Sequence, residues 1–199
     1  MNADQALHGI VLQLPLPPAF SPSFRRIIDS ISPSKDVDCL TAIGASGLKV
    51  ERRSPCVSTA VEELINHYGI DVRGRLAVIT GSSFLVGEPV RHLLEQHGAR
   101  VETCSLNSQS TTRVADVLVC ATGIPRFFTR QDVKEGAIVF DVGISVVAKG
   151  RIEGDVDFED VLSKVSRITP VPGGIGPVTV AVMLRNLYSC YSALTGRFA

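Results

Sequence analysis

Residues 76–98 read Leu76-Ala-Val-Ile-Thr80, then Gly81-Ser-Ser-Phe-Leu-Val-Gly87, then Glu88-Pro-Val-Arg-His-Leu-Leu-Glu-Gln-His-Gly98. An apolar, β-branched run, a glycine-bounded turn and a helical pattern closed by a C-terminal glycine make a strand–turn–helix unit. Similar runs recur at Ala99–Cys104, Asp116–Ala121 and Ala137–Val142. Each gap leaves room for a crossover helix or a long connection. Runs that are apolar on both faces belong in a parallel sheet covered by helices. Residues 71–199 are therefore expected to form an α/β domain, a Rossmann-like doubly wound parallel sheet that binds a nucleotide.

Working outward, the first 70 residues hold less. Ile10–Leu14, between Gly9 and Pro15, reads as a buried strand. Pro15, Pro17, Pro18 and Pro22 forbid regular structure until about Phe24, after which Arg25–Ser30 is expected to form a short helix. Ser30 to Pro55 is a long polar connection, the kind that serves as a binding loop or a linker. Thr59–Tyr68 predicts an amphipathic helix with Val61, Leu64 and Ile65 on one face. Residues 1–70 are thus an incomplete α/β domain, too small for a core of their own. The last helix is expected to start after Pro177. Its stripe of Val180, Leu184, Leu187, Tyr191 and Leu194 is expected to be apolar and continuous, and the helix to pack back on residues 1–70.

The balance of 20 Lys+Arg against 20 Asp+Glu in 199 residues argues against an electrostatic nucleic-acid binder. Hydrophobic residues at 45 % and charged residues at 20 % suit a packed core and not a disordered tail. No apolar run approaches the ~20 residues that span a bilayer. Cys39, Cys56, Cys104, Cys120 and Cys190 show no CxxC or His-partner spacing, so a reduced compartment with structural thiols is expected and no metal site. Met1-Asn-Ala-Asp4 is not a signal-peptide leader.

Four motifs carry chemistry. Gly81 to Gly87 suits a dinucleotide pyrophosphate, because glycines admit the backbone and helix N–H groups face the phosphates; the GxxxxxG spacing leaves a merely tight turn as the alternative. Lys35-Asp-Val-Asp38 offers two carboxylates that could hold a metal or orient a substrate amine, or could face solvent. Gln13, inside an apolar run, is either a core hydrogen-bonder or a site residue. Thr169-Pro-Val-Pro-Gly-Gly-Ile-Gly-Pro177 combines φ-fixing prolines with permissive glycines, a rigid loop whose backbone can read planar heterocycles or anions, or a tight interdomain connector. His8, His67, His92 and His97 show no ligand pattern.

Taken together, these stretches resemble the bifunctional methylenetetrahydrofolate dehydrogenase/cyclohydrolase family. The resemblance rests on His8–Pro17, Lys35–Asp38, Pro55-Cys56, Gly81–Pro89, Ala121-Thr-Gly-Ile-Pro125, Asp141-Val-Gly-Ile144, Gly154-Asp-Val-Asp-Phe158 and Thr169–Thr179, in family order. It implies oxidation of 5,10-methylenetetrahydrofolate to the methenyl form with NADP, NAD being possible, followed by hydrolysis to 10-formyltetrahydrofolate. It also implies a cytoplasmic homodimer, with a mitochondrial location left open. By resemblance Gln13 supports acid–base chemistry and Asp38 hydrogen-bonds the pterin, while Leu12, Leu14, Pro172, Gly173, Gly174 and Thr179 line the folate site. Gly81, Ser82, Ser83, Gly87 and Ile144 contact the cofactor.

Departures cluster at the ligands. The family carries a Tyr-x-x-x-Lys motif upstream of the Ile10–Leu14 run, its Lys the acid–base group, and no such motif occurs here. Loss of a positioned acid–base group costs ~10²–10⁴ in rate. Gly-Arg-Ser is replaced by Gly81-Ser82-Ser83 and Cys-His-Ser by Cys104-Ser105-Leu106, removing groups that would grip a 2′-phosphate. The expectation is a folate enzyme of impaired activity. The competing explanations are a truncated piece of an active enzyme, a non-catalytic paralogue that binds folate or an active partner subunit, and a Rossmann-type module with no folate link.

Overall fold

The computed structural model describes residues 1–14, 16–41, 53–81, 83–105 and 109–196. Its centre is a parallel sheet in the order β2-β1-β3-β4-β7. The strands are β1 Leu76–Thr80, β2 Arg100–Cys104, β3 Val117–Cys120, β4 Ile138–Asp141 and β7 Arg167–Ile168. A two-stranded antiparallel pair, β5 Ser145–Val146 and β6 Ile152–Glu153, stands apart from the sheet. The helices are α1 Phe24–Asp29, α2 Cys56–His67, α3 Gly87–Gln96, α4 Gln109–Thr112, α5 Phe158–Val161 and α6 Ile175–Thr195.

Strand alternation divides the core into two layers, as the two-fold period of a strand requires. Ala77, Ile79, Val117, Val119, Ile138 and Phe140 point to one face and pack under α2, α3 and the start of α6 with Val61, Ile65, Val90 and Leu94. Val78, Leu118, Cys120 and Val139 point to the other, against Phe128, Val133, Val156 and Val161. The doubly wound parallel sheet expected from the sequence is present. The edge strands β2 and β7 are less buried: in β2 Arg100 and Glu102 are exposed, and charges at alternate positions discourage further pairing.

Four expectations need correction. The prolines do not forbid regular structure before Phe24: Pro18–Ser23 forms a 3-10 helix with Pro18 at its start, where a missing N–H costs nothing. Ile10–Leu14 is not a buried strand: Ile10 makes one parallel bridge to Asp36, and Val11 and Gln13 are exposed. With one bridging neighbour, this segment has no ladder to join. α6 begins at Ile175, two residues before Pro177, which sits in the first turn where its missing N–H costs nothing. The stripe on α6 is also split: Tyr191 packs on His8, but most of the stripe is not the buried face. Val182, Asn186, Cys190 and Ser192 are the buried face, whereas Val180 (55 % exposed), Leu184 (61 %) and Leu194 (42 %) look outward. Small residues let α6 approach its neighbours closely.

α6 is anchored on the first 70 residues. Asn186, buried, donates its side-chain amide to the carbonyls of Val37 and Ser54, both at 3.0 Å. Arg185 pairs with Glu63 of α2 at 2.6 Å, and the rings of His8 and Tyr191 meet edge to face at 5.0 Å.

Candidate active site

The sheet order reverses between β1 and β3, and ligands of open α/β sheets lie at the carboxyl ends of strands at such a switch point. Gly81 ends β1 with φ +92°, and a Cβ there would run into the carbonyl of Ala121 at the end of β3. Ala121 in turn donates its N–H to the Thr80 carbonyl at 3.1 Å. Downstream, the carbonyl of Ser83 accepts the N–H groups of Val86 and Glu88, both at 3.2 Å, turning the chain into α3 at the buried Gly87. Ser83 is exposed. Ser82 and Leu106, on which the loss of 2′-phosphate contacts turned, lie outside the described residues. Arg25 of α1 lies over the Phe84 ring, 4.0 Å from its centroid, and joins the first 70 residues to this turn.

Beside the switch point is a cleft of about 520 Å³. Its walls bring together Gln13, Ile144, Pro172, Gly173, Gly174 and Thr179, with Val57, Asp141 and Met183. Residues far apart in the chain, singled out separately, thus face one space. Gln13 is not a core hydrogen-bonder: it is exposed, and its Nε2 donates to the Leu14 carbonyl at 3.1 Å. The 170–177 loop runs straight into α6, with a cis Val171–Pro172 peptide and φ +108° at Gly173. Gly174 is packed against the backbone of Pro170, where a Cβ would not fit.

Leu12, Leu14 and Asp38 are not among the described lining residues of that cleft. Asp38 lies just behind it, half-buried beside Cys56, whose neighbour Val57 is a lining residue. Burial holds the Asp38 carboxyl above its ordinary range; a hydrogen bond from the Cys56 thiol opposes this, and the charge of Asp36 adds to it. The Cys56 thiol, pushed up chiefly by burial and then by Asp38, stays protonated and donates. The other members of the motif are structural. Lys35, buried, donates to the carbonyls of Asn2 at 2.8 Å and Asp4 at 2.6 Å, and Asp36 accepts the N–H of Thr41 at 2.8 Å. No group of His, Cys, Asp and Glu among the described residues could hold a metal ion.

Two carboxylates that motif reading passed over sit beside the cleft. Asp141, buried at the end of β4, accepts N–H groups from Gly143 (3.0 Å), Asp155 (3.0 Å) and Val156 (2.9 Å). Burial, reinforced by Asp155, raises its pKa to about 6. Asp155, wholly buried, accepts the hydroxyl and N–H of Thr122 and the N–H of Gly123 on Oδ2. Their sequence signal was Gly154-Asp-Val-Asp-Phe158, where glycine at 154 is needed because a Cβ would strike the Asp141 carboxylate.

Residues 55–195 match the family model described as tetrahydrofolate dehydrogenase/cyclohydrolase, NAD(P)-binding domain. The chain belongs to the tetrahydrofolate dehydrogenase/cyclohydrolase family. Within this family it is 42 % identical over 197 residues to the bifunctional protein FolD of Aquifex aeolicus, covering 96 % of this chain and 67 % of that protein. The crystal structure of the Campylobacter jejuni bifunctional enzyme FolD, a methylenetetrahydrofolate dehydrogenase/cyclohydrolase, superposes with a TM-score of 0.85 at 41 % identity, over 96 % of this chain and 70 % of that one. The Trypanosoma brucei FolD structure, complexed with NADP cofactor and inhibitor, gives 0.86 at 35 % identity, over 96 % and 69 %. The chain therefore spans about two thirds of the length of these tetrahydrofolate dehydrogenase/cyclohydrolase relatives. No helix among the described residues is long and apolar enough to cross a membrane.

Proposed function

We propose that this chain takes a tetrahydrofolate one-carbon derivative and NADP, with NAD as the other candidate, into the cleft and the adjoining switch point. The reaction is oxidation of 5,10-methylenetetrahydrofolate to the methenyl form and hydrolysis of that to 10-formyltetrahydrofolate, running weakly. The observation that carries this reading is the convergence of Gln13, Ile144 and the 170–177 loop on one cleft at the carboxyl ends of the strands. The switch point suits a dinucleotide: at Gly81 a Cβ would strike the Ala121 carbonyl, so only glycine lets the backbone turn there at the strand ends. Gly81, Ser82, Ser83, Gly87 and Ile144 would hold the cofactor, which when bound supplies the hydride acceptor.

The chain's own residues then divide the remaining work. Asp38 accepts hydrogen bonds from pterin N–H groups, a task for an ionised acceptor. Pro172, Gly173 and Gly174 present a rigid backbone edge to the folate, with Leu12, Leu14 and Thr179 around it. Gln13 can turn its amide from the Leu14 carbonyl to the folate bridge; an amide orients a reacting group and does not itself exchange a proton at neutral pH. A second reading, a non-catalytic paralogue that binds folate or an active subunit, is supported by the departures from the family pattern at Gly81-Ser82-Ser83 and Cys104-Ser105-Leu106. We also propose a homodimer, and a reducing compartment such as the cytoplasm, which five free thiols suit.

The test is methenyltetrahydrofolate absorbance with NADP or NAD. Slow, measurable turnover is the expected outcome. No turnover with retained folate binding would favour the paralogue, and binding of neither ligand would overturn the proposal.

A further inference from the structure

Asp155 stands where three segments meet. It follows β6, its carbonyl accepts the N–H of Phe128 at 2.9 Å, and its side chain reaches across to the loop that leaves β3. One carboxylate oxygen, Oδ2, collects Thr122 Oγ1 at 2.9 Å, the Gly123 N–H at 3.2 Å and the Thr122 N–H. The other, Oδ1, is buried, has no hydrogen-bond partner among the described residues and lies against Gly143, where a Cβ would collide with it. That loop begins at Ala121, whose carbonyl abuts Gly81. Asp155 therefore fixes one wall of the crevice from behind. A purely structural acceptor could be a neutral amide; a buried carboxylate beside a second buried carboxylate, Asp141, is a costly choice.

We propose that Asp155 is a positioning residue for the dinucleotide crevice, its carboxylate holding the Thr122–Gly123 wall against the end of β1. The inference rests on the dinucleotide reading given above. Charge is the operative property, since charge-assisted bonds to N–H donors are about twice as strong as neutral ones. The titratable groups facing Asp155 are Asp141 from β4 and Cys120 from β3, the latter a thiol kept neutral by complete burial. Nearby Arg126 is occupied by Asp157 at 2.7 Å. The wall is further tied by Ser145, whose hydroxyl donates to the Gly123 carbonyl at 3.0 Å, so loss of Asp155 loosens one side of the loop and does not release it.

The experiment compares wild type with Asp155→Asn, which keeps shape and removes charge, and with Asp155→Ala. Three quantities are read: NADP affinity by fluorescence, amide exchange at Thr122 and Gly123 in the ligand-free protein, and the Asp141 titration by carboxyl NMR. Asp155→Asn should weaken NADP about tenfold, speed exchange at those two amides, and move the Asp141 midpoint down, since a neighbouring negative charge is gone. Asp155→Ala should do the first two more strongly. A simple filling role would leave NADP affinity unchanged in Asp155→Asn, and that result overturns the proposal. If wild type binds no dinucleotide, the crevice reading itself fails and the proposal with it; wild-type binding that survives Asp155→Asn intact sinks the positioning role alone.

Discussion

Gly81 and Ala121 face each other just past the ends of β1 and β3: the glycine has φ +92°, and a Cβ on it would strike the Ala121 carbonyl. Both conditions demand glycine, one through conformation and one through space. Gly81→Ala should therefore strain the backbone and push the two strand ends apart. The expected cost is about 1–3 kcal/mol, with a lower Tm by thermal denaturation and NADP affinity reduced more than folate-analogue affinity. Equal losses for both ligands would show general unfolding in place of local damage to the crevice.

Asn186 tests how the two ends of the chain cooperate. Its Nδ2 donates to the Val37 and Ser54 carbonyls at 3.0 Å and to Cys56 Sγ at 3.4 Å, joining α6 to the segment that carries Asp38. Asn186→Leu fits the volume and abandons buried acceptors. Each orphaned group costs ~1–3 kcal/mol, so chemical denaturation should show at least that loss. Folate-analogue binding should weaken while NADP binding holds.

Acid should affect stability in two opposing ways. The Asp141 pKa is raised to about 6 in the folded protein by burial and by Asp155. Its folded state binds the proton more readily than the unfolded chain does, so its contribution is full below the ordinary carboxylate value near pH 4. That contribution is lost as pH rises through about 6. The buried Asp38 carboxyl, also raised, acts in the same direction. Asp116 does the reverse: the Lys134 ammonium at 2.6 Å and the Leu76 N–H lower its pKa, and its contribution disappears as pH falls below the unfolded value. Denaturant titrations at pH 7, 6 and 5 should therefore show stability holding or rising toward pH 5, with Asp141 supplying on the order of 1 kcal/mol of the change over that window. A steady fall over that range would contradict the Asp141 assignment.

The sheet was legible because β1, β3 and β4 are apolar on both faces, a pattern that only a covered parallel strand tolerates. β2 was legible despite its exposure, because its β-branched residues and the preceding Gly98 mark it. α6 misled, since its residues show a regular apolar stripe and only the tertiary structure says which face meets the protein. The small residues at 182, 190 and 192 and the amide at 186 were the signal for the true buried face, readable as close packing plus a polar anchor. Ile10–Leu14 misled similarly: hydrophobic composition names a strand only where a partner ladder exists. At the site, the 170–177 loop and Gln13 could be read from sequence because proline, glycine and an amide in an apolar run are locally conspicuous. Asp141 and Asp155 were not, because their significance lies in facing each other across residues 142–154.

The outward stripe of α6 carries a prediction of its own. Val180 and Leu184 are more than half exposed, and Tyr188 lies beside them at 52 %. Contiguous exposed apolar surface favours association and dye binding. Leu184→Lys should leave the melting temperature within a degree or two, reduce anilinonaphthalene sulfonate fluorescence, and shift sedimentation toward smaller species. A large stability loss would mean that Leu184 is covered in solution.

Gly173 gives the sharpest test of the folate loop. It has φ +108°, a region L side chains rarely occupy, while the space around its would-be Cβ is open. Crowding is therefore not the reason for glycine here; backbone conformation is. Gly173→Ala should cost roughly 1–3 kcal/mol wherever that conformation is required, and the bulkier Gly173→Val should cost no less, because a β-branched residue tolerates positive φ poorly. Since Gly173 lines the cleft with Pro172 and Gly174, the loss should appear mainly in folate-analogue affinity, with circular dichroism and NADP binding close to wild type. Asp38→Ala belongs in the same series: removing a charged acceptor should lower analogue affinity about ten- to hundredfold. If Gly173→Val binds the analogue as wild type does, the loop is a connector and not a wall of the substrate site. If Asp38→Ala does so, the pterin is held elsewhere.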